Sequence, residues 1–299
     1  MAETFDAGRL GAVPVGGEPF GTALPSEPLG ARIRWAVTSW RLAAAMWMRA
    51  QFAYRASFWL TSAGNLLITS LDFVVLVLMF RHTGRLGGWS LPEVGLLYGT
   101  SGFSLGLADV LVGSVEELGG RIRSGALDVL LLRPAPALSM VCAERFTLRR
   151  LGRPVQSVLV LGWAVHQLPG RWSAAHLLLL GQLLASGTVI FGALFIGGAV
   201  VQFWWGEAKE FQNSFTYGGA TLLRYPPGIF ARELVAGVTF GLPLAFVNWL
   251  PLCRILGRPD PLGLPGAFEY ASPLAALLSA AAAGLAWRAG LRAYRGTGS

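Results

Sequence analysis

Six apolar stretches constrain this chain more than any other feature. A helix needs about 20 mostly apolar residues to cross a bilayer core. Residues 58–80, 92–113, 154–168, 174–205, 229–255 and 271–289 approach or exceed that length. The third is short and borrows residues from Phe146 onward. The fourth is long enough to tilt or run on past the bilayer. The fifth contains Pro243 and Pro251 and is expected to break near its end. Composition agrees, with 54% hydrophobic and 13% charged residues, where a soluble domain carries about 25% charged. The expected fold is all-α and integral to the membrane, with six transmembrane helices.

The net charge of +8 does not point to nucleic acid. The basic residues are arginines scattered between apolar runs, with Lys209 the single lysine, and no nucleic-acid-binding module appears among them. Orientation follows from the excess of Lys and Arg in cytoplasmic loops. With the N-terminus inside, 19 basic residues fall on the cytoplasmic side. Arg81, Arg85, Arg171, Arg254 and Arg258, 5 in all, fall outside. Both termini are therefore expected in the cytoplasm. Cys142 and Cys253 then lie on opposite sides, and no bridge is expected.

Residues 1–30 are rich in Pro and Gly, have no continuous apolar run, and read as a disordered cytoplasmic tail rather than a signal peptide. Residues 31–57 form an amphipathic segment in which Trp40, Trp47 and Tyr54 recur every seven residues on one helix face, beside Arg34, Arg41 and Arg55. That pairing suits a helix lying in the headgroup layer; the alternative is a simple inward extension of the first span. Residues 58–289 form the six-helix domain and 290–299 a cytoplasmic C-terminal tail.

Several residues stand out within this frame. Gly95, Gly99, Gly102, Gly106 and Gly113 fall within about 60° of one another on a helix, with Asp109 at the edge. Such a small-residue stripe lets another helix approach closely, either as packing within the subunit or as a contact that changes as the protein works. Acids inside a membrane are costly and mark functional positions. Asp72 lies well inside the first span, where it can attract a cationic substrate or hydrogen-bond a neighbouring helix. Asp109 lies about one turn from the cytoplasmic end of the second span, roughly 15 Å shallower. Asn65, Asn248, Gln182 and Gln202 read as interhelical hydrogen-bonders. The loop at about 114–136 carries VEELGGRIRSGALDVLLLRPAP from Val115 to Pro136. It is short, amphipathic and helix-compatible, with Gly125 a break and Pro134 a stop, and reads either as a docking element for a partner's groove or as a solvated loop. Glu207 and Glu210 flank Lys209 and are candidates for a gate or ordinary surface charges. Tyr225, ahead of Pro226 and Pro227, enforces an extended entry into the fifth span; with Asp72, Glu207, Glu210 and Asn248 it is a candidate for the pathway or gate.

Catalytic signatures are missing from the sequence. A P-loop needs a lysine followed by Ser or Thr, whereas Lys209 is followed by Glu210. There is no CxxC, HExxH or GxSxG pattern. His82, His166 and His176 are well separated near the outer face. The chain is expected to be neither an enzyme nor a metal-binding protein.

Three stretches carry a family resemblance. The first is Gly125-Ala126-Leu127-Asp128 with Leu130-Leu131-Leu132-Arg133-Pro134. The second begins at Phe203-Trp204. It continues through Tyr225-Pro226, Ile229-Phe230, Pro243-Leu244-Ala245-Phe246 and Pro251 to Leu256-Gly257. The third is Trp287-Arg288, Gly290-Leu291, Tyr294 and Gly298-Ser299. In order and spacing they resemble the permease subunits of ABC-2-type exporters of bacteria, over about residues 40–299. That resemblance implies six spans after an interfacial helix, in the bacterial plasma membrane. It implies a coupling helix over about Glu116–Pro134, with Glu116, Glu117, Arg121, Arg123, Gly125, Asp128, Arg133 and Pro134 as coupling residues. It implies short re-entrant helices at the outer face over about 248–270, with Asn248 at the break. Expected partners are a separate ATPase subunit holding ATP and Mg, a second permease that is often a distinct homologue, the lipid bilayer, and a hydrophobic or amphipathic substrate. The chain departs from the family pattern in its long N-terminal tail and its preference for arginine. Two rivals predict different features. An ion-coupled secondary transporter predicts inverted repeats with paired ionisable residues at the midplane; a membrane-embedded lipid-modifying enzyme predicts converging carboxylates or histidines.

Overall fold

The computed structural model describes residues 29–294, apart from 53–54, 134, 145–146, 170–171 and 207. The expectations for residues 1–28, Tyr54, Pro134, Glu207 and Gly298-Ser299 lie outside the described residues. Among those described the chain is helical, with no strand. In chain order the helices are α1 (Leu29–Phe52), α2 (Arg55–Thr83), α3 (Leu91–Val112), α4 (Leu118–Arg123), α5 (Ala126–Leu131), α6 (Ala137–Ala143), α7 (Gly152–His166), α8 (Ala174–Val201), α9 (Lys209–Leu223), α10 (Arg232–Ala236), α11 (Trp249–Leu256) and α12 (Ser272–Ala293).

α3 is the centre. It packs on α7 along one side and on α8 along another, and α12 backs α8. The glycine stripe explains the first of these contacts. A Cβ on Gly99 would lie 3.0 Å from Leu161 Cβ, one on Gly106 2.7 Å from Pro154 Cδ, and Gly95 and Gly102 meet Trp163 and Ser157. All four thus face α7, and the stripe closes a contact within this chain. Gly113 instead faces Asp109 and Arg150.

Among the described residues, four stretches are long and apolar enough to cross a membrane: Leu66–Thr83 in α2, Leu91–Arg123 from α3 through α4, α8 and α12. α7 and α9, at 15 residues each, fall below the length for a full crossing, although a 3-10 turn, Leu148–Leu151, leads into α7.

The fifth expected span, 229–255, needs correction. Arg232–Gly241 and Leu244–Leu256 form a pair bent by 84°. The helix passes through a π turn at Gly237–Gly241 and stops before Pro243, which has no N–H with which to continue the ladder. Pro251 breaks nothing, because it sits in the first turn of α11, where its missing N–H has no helical partner to lose.

The bent pair also stays at one end of the bundle. Its tip dips inward, with Val247 against Gly187, midway along α8, and Leu244 against Gly219. Its outer parts join the turn between α2 and α3: Ile229 lies against Gly87 and Arg258 pairs with Glu93 at 2.9 Å. α9 runs along the bundle between this tip and the turn that follows α3. That helix starts with Lys209 beside Glu117 and ends where Asn248 Nδ2 donates to both Leu223 O and Leu97 O at 3.1 Å.

α1 is attached through its aromatic face. Trp40 and Trp47 pack with Met48 around Ala44 and Val110, and Trp40 Nε1 donates to Leu111 O at 2.9 Å.

Candidate functional site

The loop that follows α3 forms a braced platform. α3 ends in a 3-10 turn, Gly113–Glu117, that leads into α4. Arg150 reaches back under this turn. Its Nη1 lies 3.0 Å from Asp109 Oδ1 and its Nη2 3.4 Å from Glu116 Oε1. Gln202, at the end of α8, accepts from Gly119 N at 2.6 Å and donates to Glu116 O and Gln212 Oε1. Glu117 pairs with Lys209. Arg121 is buried, with Nε 2.8 Å from Glu144 Oε2 and Nη1 donating to Val141 O at 3.0 Å. Removing one partner of such a pair leaves an uncompensated charge and costs about 3–5 kcal/mol. The neighbouring Cys142 is buried and free, and burial pushes its thiol up to about 12.

Past Arg121 the character changes. Arg123 is exposed and donates to Gly206 O at 2.7 Å. Gly125 adopts φ 69 between α4 and α5, a left-handed conformation that costs other residues about 1 kcal/mol or more. This sharp turn aims α5 outward. Leu127 and Leu130 face the core at 0% and 4% exposure, while Val129 and Leu132 stand out at 59% and 71%. Asp128 is held by Tyr294 Oη at 2.8 Å. Burial first, then that hydrogen bond, pushes the Tyr294 phenol up to about 12. Arg133 is exposed at the end of α5. Val129 and Leu132 thus form an exposed apolar pair between Arg123 and Arg133.

The structure therefore sorts the expected coupling residues. Glu116, Glu117, Arg121 and Asp128 are engaged inside the chain, Gly125 shapes the turn, and Arg123 and Arg133 reach the surface. Asp109 belongs to this network through Arg150. Sequence reasoning passed over Arg150 and Glu144, whose only sign was a crowd of arginines opposite too few acids in one loop, and gave Tyr294 only as part of the family resemblance.

The expected pathway residues do not converge. Asn248 is fully buried as the pin of the re-entrant tip. Tyr225 accepts at its carbonyl from Trp249 Nε1. Glu210 is exposed at the start of α9, on the loop side, far from that tip. Asp72 finds a partner, Arg224, that loop counting had placed on the cytoplasmic side rather than beside the first span. Arg224, at the end of α9, sits 3.4 Å from Asp72 Oδ2 and stacks its guanidinium 4.8 Å from the Tyr98 ring centre. Gln156 completes this cluster, donating to Tyr98 Oη and Thr69 O. Gln182 and Gln202 bond between elements as expected, Gln182 to Tyr270 O.

A family model described as ABC-2 family transporter protein matches residues 66–298. No curated protein and no solved structure matched the chain. The match covers most of the sequence, including α3, the braced platform, the re-entrant pair and α12, and it agrees with the spans and with the outward apolar helix. The chain belongs to the ABC-2 family of transporter proteins, as a membrane-spanning permease of an ABC-type transporter.

Proposed function

We propose that this permease exports a hydrophobic or amphipathic compound, using ATP hydrolysed on a separate ATPase subunit that docks on α5. The outward pair Val129 and Leu132, between Arg123 and Arg133, carries this reading. An apolar tip with a cationic rim fits an apolar groove edged with acids. The ion pairs behind it make the platform rigid, so a push on α5 passes into α3, α8 and α12 rather than being absorbed locally.

The platform end of the bundle is the cytoplasmic one in this reading. Moving Arg224 and Arg232 to the opposite side leaves the arginine and lysine bias at 17 to 7, and Trp204 and Trp205 are exposed beside the platform at headgroup depth. Counting α7 with its leading turn and α9 as crossings alongside the four long stretches gives six spans. A second permease, the same chain or a distinct homologue, completes the path. ATP and Mg belong to the ATPase, and ATP binding drives transport only by its different affinity for the two states.

One observation favours ion-coupled transport instead: the Asp72–Arg224 pair on the flank of the bundle, with Arg224 largely buried and Asp72 exposed. Expressing the chain with its neighbouring genes separates the readings. Co-purification of an ATPase, with vanadate-sensitive hydrolysis that is lost in a Val129→Asp, Leu132→Asp double variant, supports the exporter. Flux that follows a proton or sodium gradient without ATP overturns it.

A further inference from the structure

α1 is fastened to the bundle against α6 and the end of α3. Trp40 and Ala44 close on Val110 and Leu111. Beside that seam α1, α3, α6 and α8 border an open cavity of about 450 Å³. Val37 lines it from α1, Leu111 and Val112 from α3, Leu138 from α6 and Ile196 from α8. Pockets for small molecules usually measure about 300–1,000 Å³. The walls are apolar, so ordered water, which needs two to four polar partners, gains little there.

The polar groups are confined to the rim, where Arg41 and Ser139 border the opening. Arg41 is exposed, and Arg34, two turns earlier, is exposed on the same side of α1. The site lies beside the platform, next to the ends of α3 and α8 rather than at their middles. A slot for an apolar chain with cations at its lip complements one kind of molecule: an amphiphile with a negative head. A neutral or cationic head gains nothing from Arg41, whereas basic side chains at a membrane surface attract anionic lipid.

We propose that this cavity binds an anionic phospholipid of the bilayer, one acyl chain in the slot and its headgroup on Arg41. Bound there, the lipid fills the gap between α1, α3 and α6. α6 leads directly to Glu144, the partner of Arg121, so the lipid supports the platform from its membrane side. The assignment concerns this chain alone and does not rest on the transport reading.

The test uses the full-length permease, stripped of lipid in detergent and titrated with phosphatidylglycerol or phosphatidylcholine under native mass spectrometry. Wild type is expected to retain one phosphatidylglycerol with about fivefold preference over phosphatidylcholine, the effect of about one basic residue near an anionic head. Arg41→Gln is expected to equalise the two lipids. Leu138→Trp, which fills the slot, is expected to reduce retention of both, with an unchanged helical spectrum and melting temperature showing that the fold survives. Equal retention of both lipids by wild type overturns the proposal. So does a phosphatidylglycerol preference that survives Arg41→Gln.

Discussion

The loop after α3 contains two neighbouring halves built on opposite terms. From Gly113 to Arg121 almost every charge is held inside the chain: Glu116 by Arg150, Glu117 by Lys209, Arg121 by Glu144. From Arg123 to Arg133 the surface turns apolar, with Val129 and Leu132 outward and arginines on either side. The contrast teaches that charge in a loop between spans need not mean docking. Here the acids and Arg121 make the platform stiff, and the greasy face they support is what remains for a partner.

The contrast is broken most severely at Arg121. Arg121→Gln strands Glu144 and is expected to destabilise the permease by about 3 kcal/mol, the lower end for a buried pair because Glu144 is partly solvated. Arg123→Ala, in the other half, is expected to cost under about 1 kcal/mol. Thermal melting in detergent compares the two, and equal losses sink the distinction. Next in size, Leu132→Asp is expected to leave melting within about 0.5 kcal/mol of wild type while weakening ATPase binding by about 2 kcal/mol or more. Retained binding in pull-down at wild-type levels contradicts the docking face.

Smaller effects sharpen the boundary. Tyr294→Phe removes a hydrogen bond to the Asp128 carboxylate and is expected to cost about 1.5–3 kcal/mol at most, toward the low end at this partly solvated site. The raised phenol fixes the pH dependence. This stabilisation is complete below the ordinary tyrosine value of about 10 and fades only as pH climbs through about 12. The difference between wild type and Tyr294→Phe should therefore be flat from pH 6 to 9. A slope in that range would point to a different titrating group. Least in amplitude, Cys142 should react slowly with maleimide, since burial both hides the thiol and pushes it up to about 12. Labelling should quicken in Arg121→Gln, where the α4–α6 contact loosens.

The sequence revealed much of this architecture. Long apolar runs marked α2, α3, α8 and α12 because crossing length is a one-dimensional property. The glycine spacing identified the close-packed face of α3, although only coordinates show that α7 fills it. α9 stayed hidden because its polar residues, Gln212 and Thr216, are buried against neighbouring helices and lower its apolar character to that of a loop. Conversely, 229–255 has the composition of a span but dips and returns, and composition does not record direction. Arg224 was misplaced for the same reason, and with it the pairing of Asp72. The platform's ion pairs join residues 20 to 90 positions apart, a separation at which local charge patterns say nothing about partners.

The most direct test of the central claim places a photo-crosslinking phenylalanine at Leu132, with a control at Arg85 in the turn at the opposite end, in the complex purified with its ATPase. The account predicts an ATPase adduct from Leu132 and none from Arg85. An ATPase that co-purifies yet gives no adduct from Leu132 would contradict it.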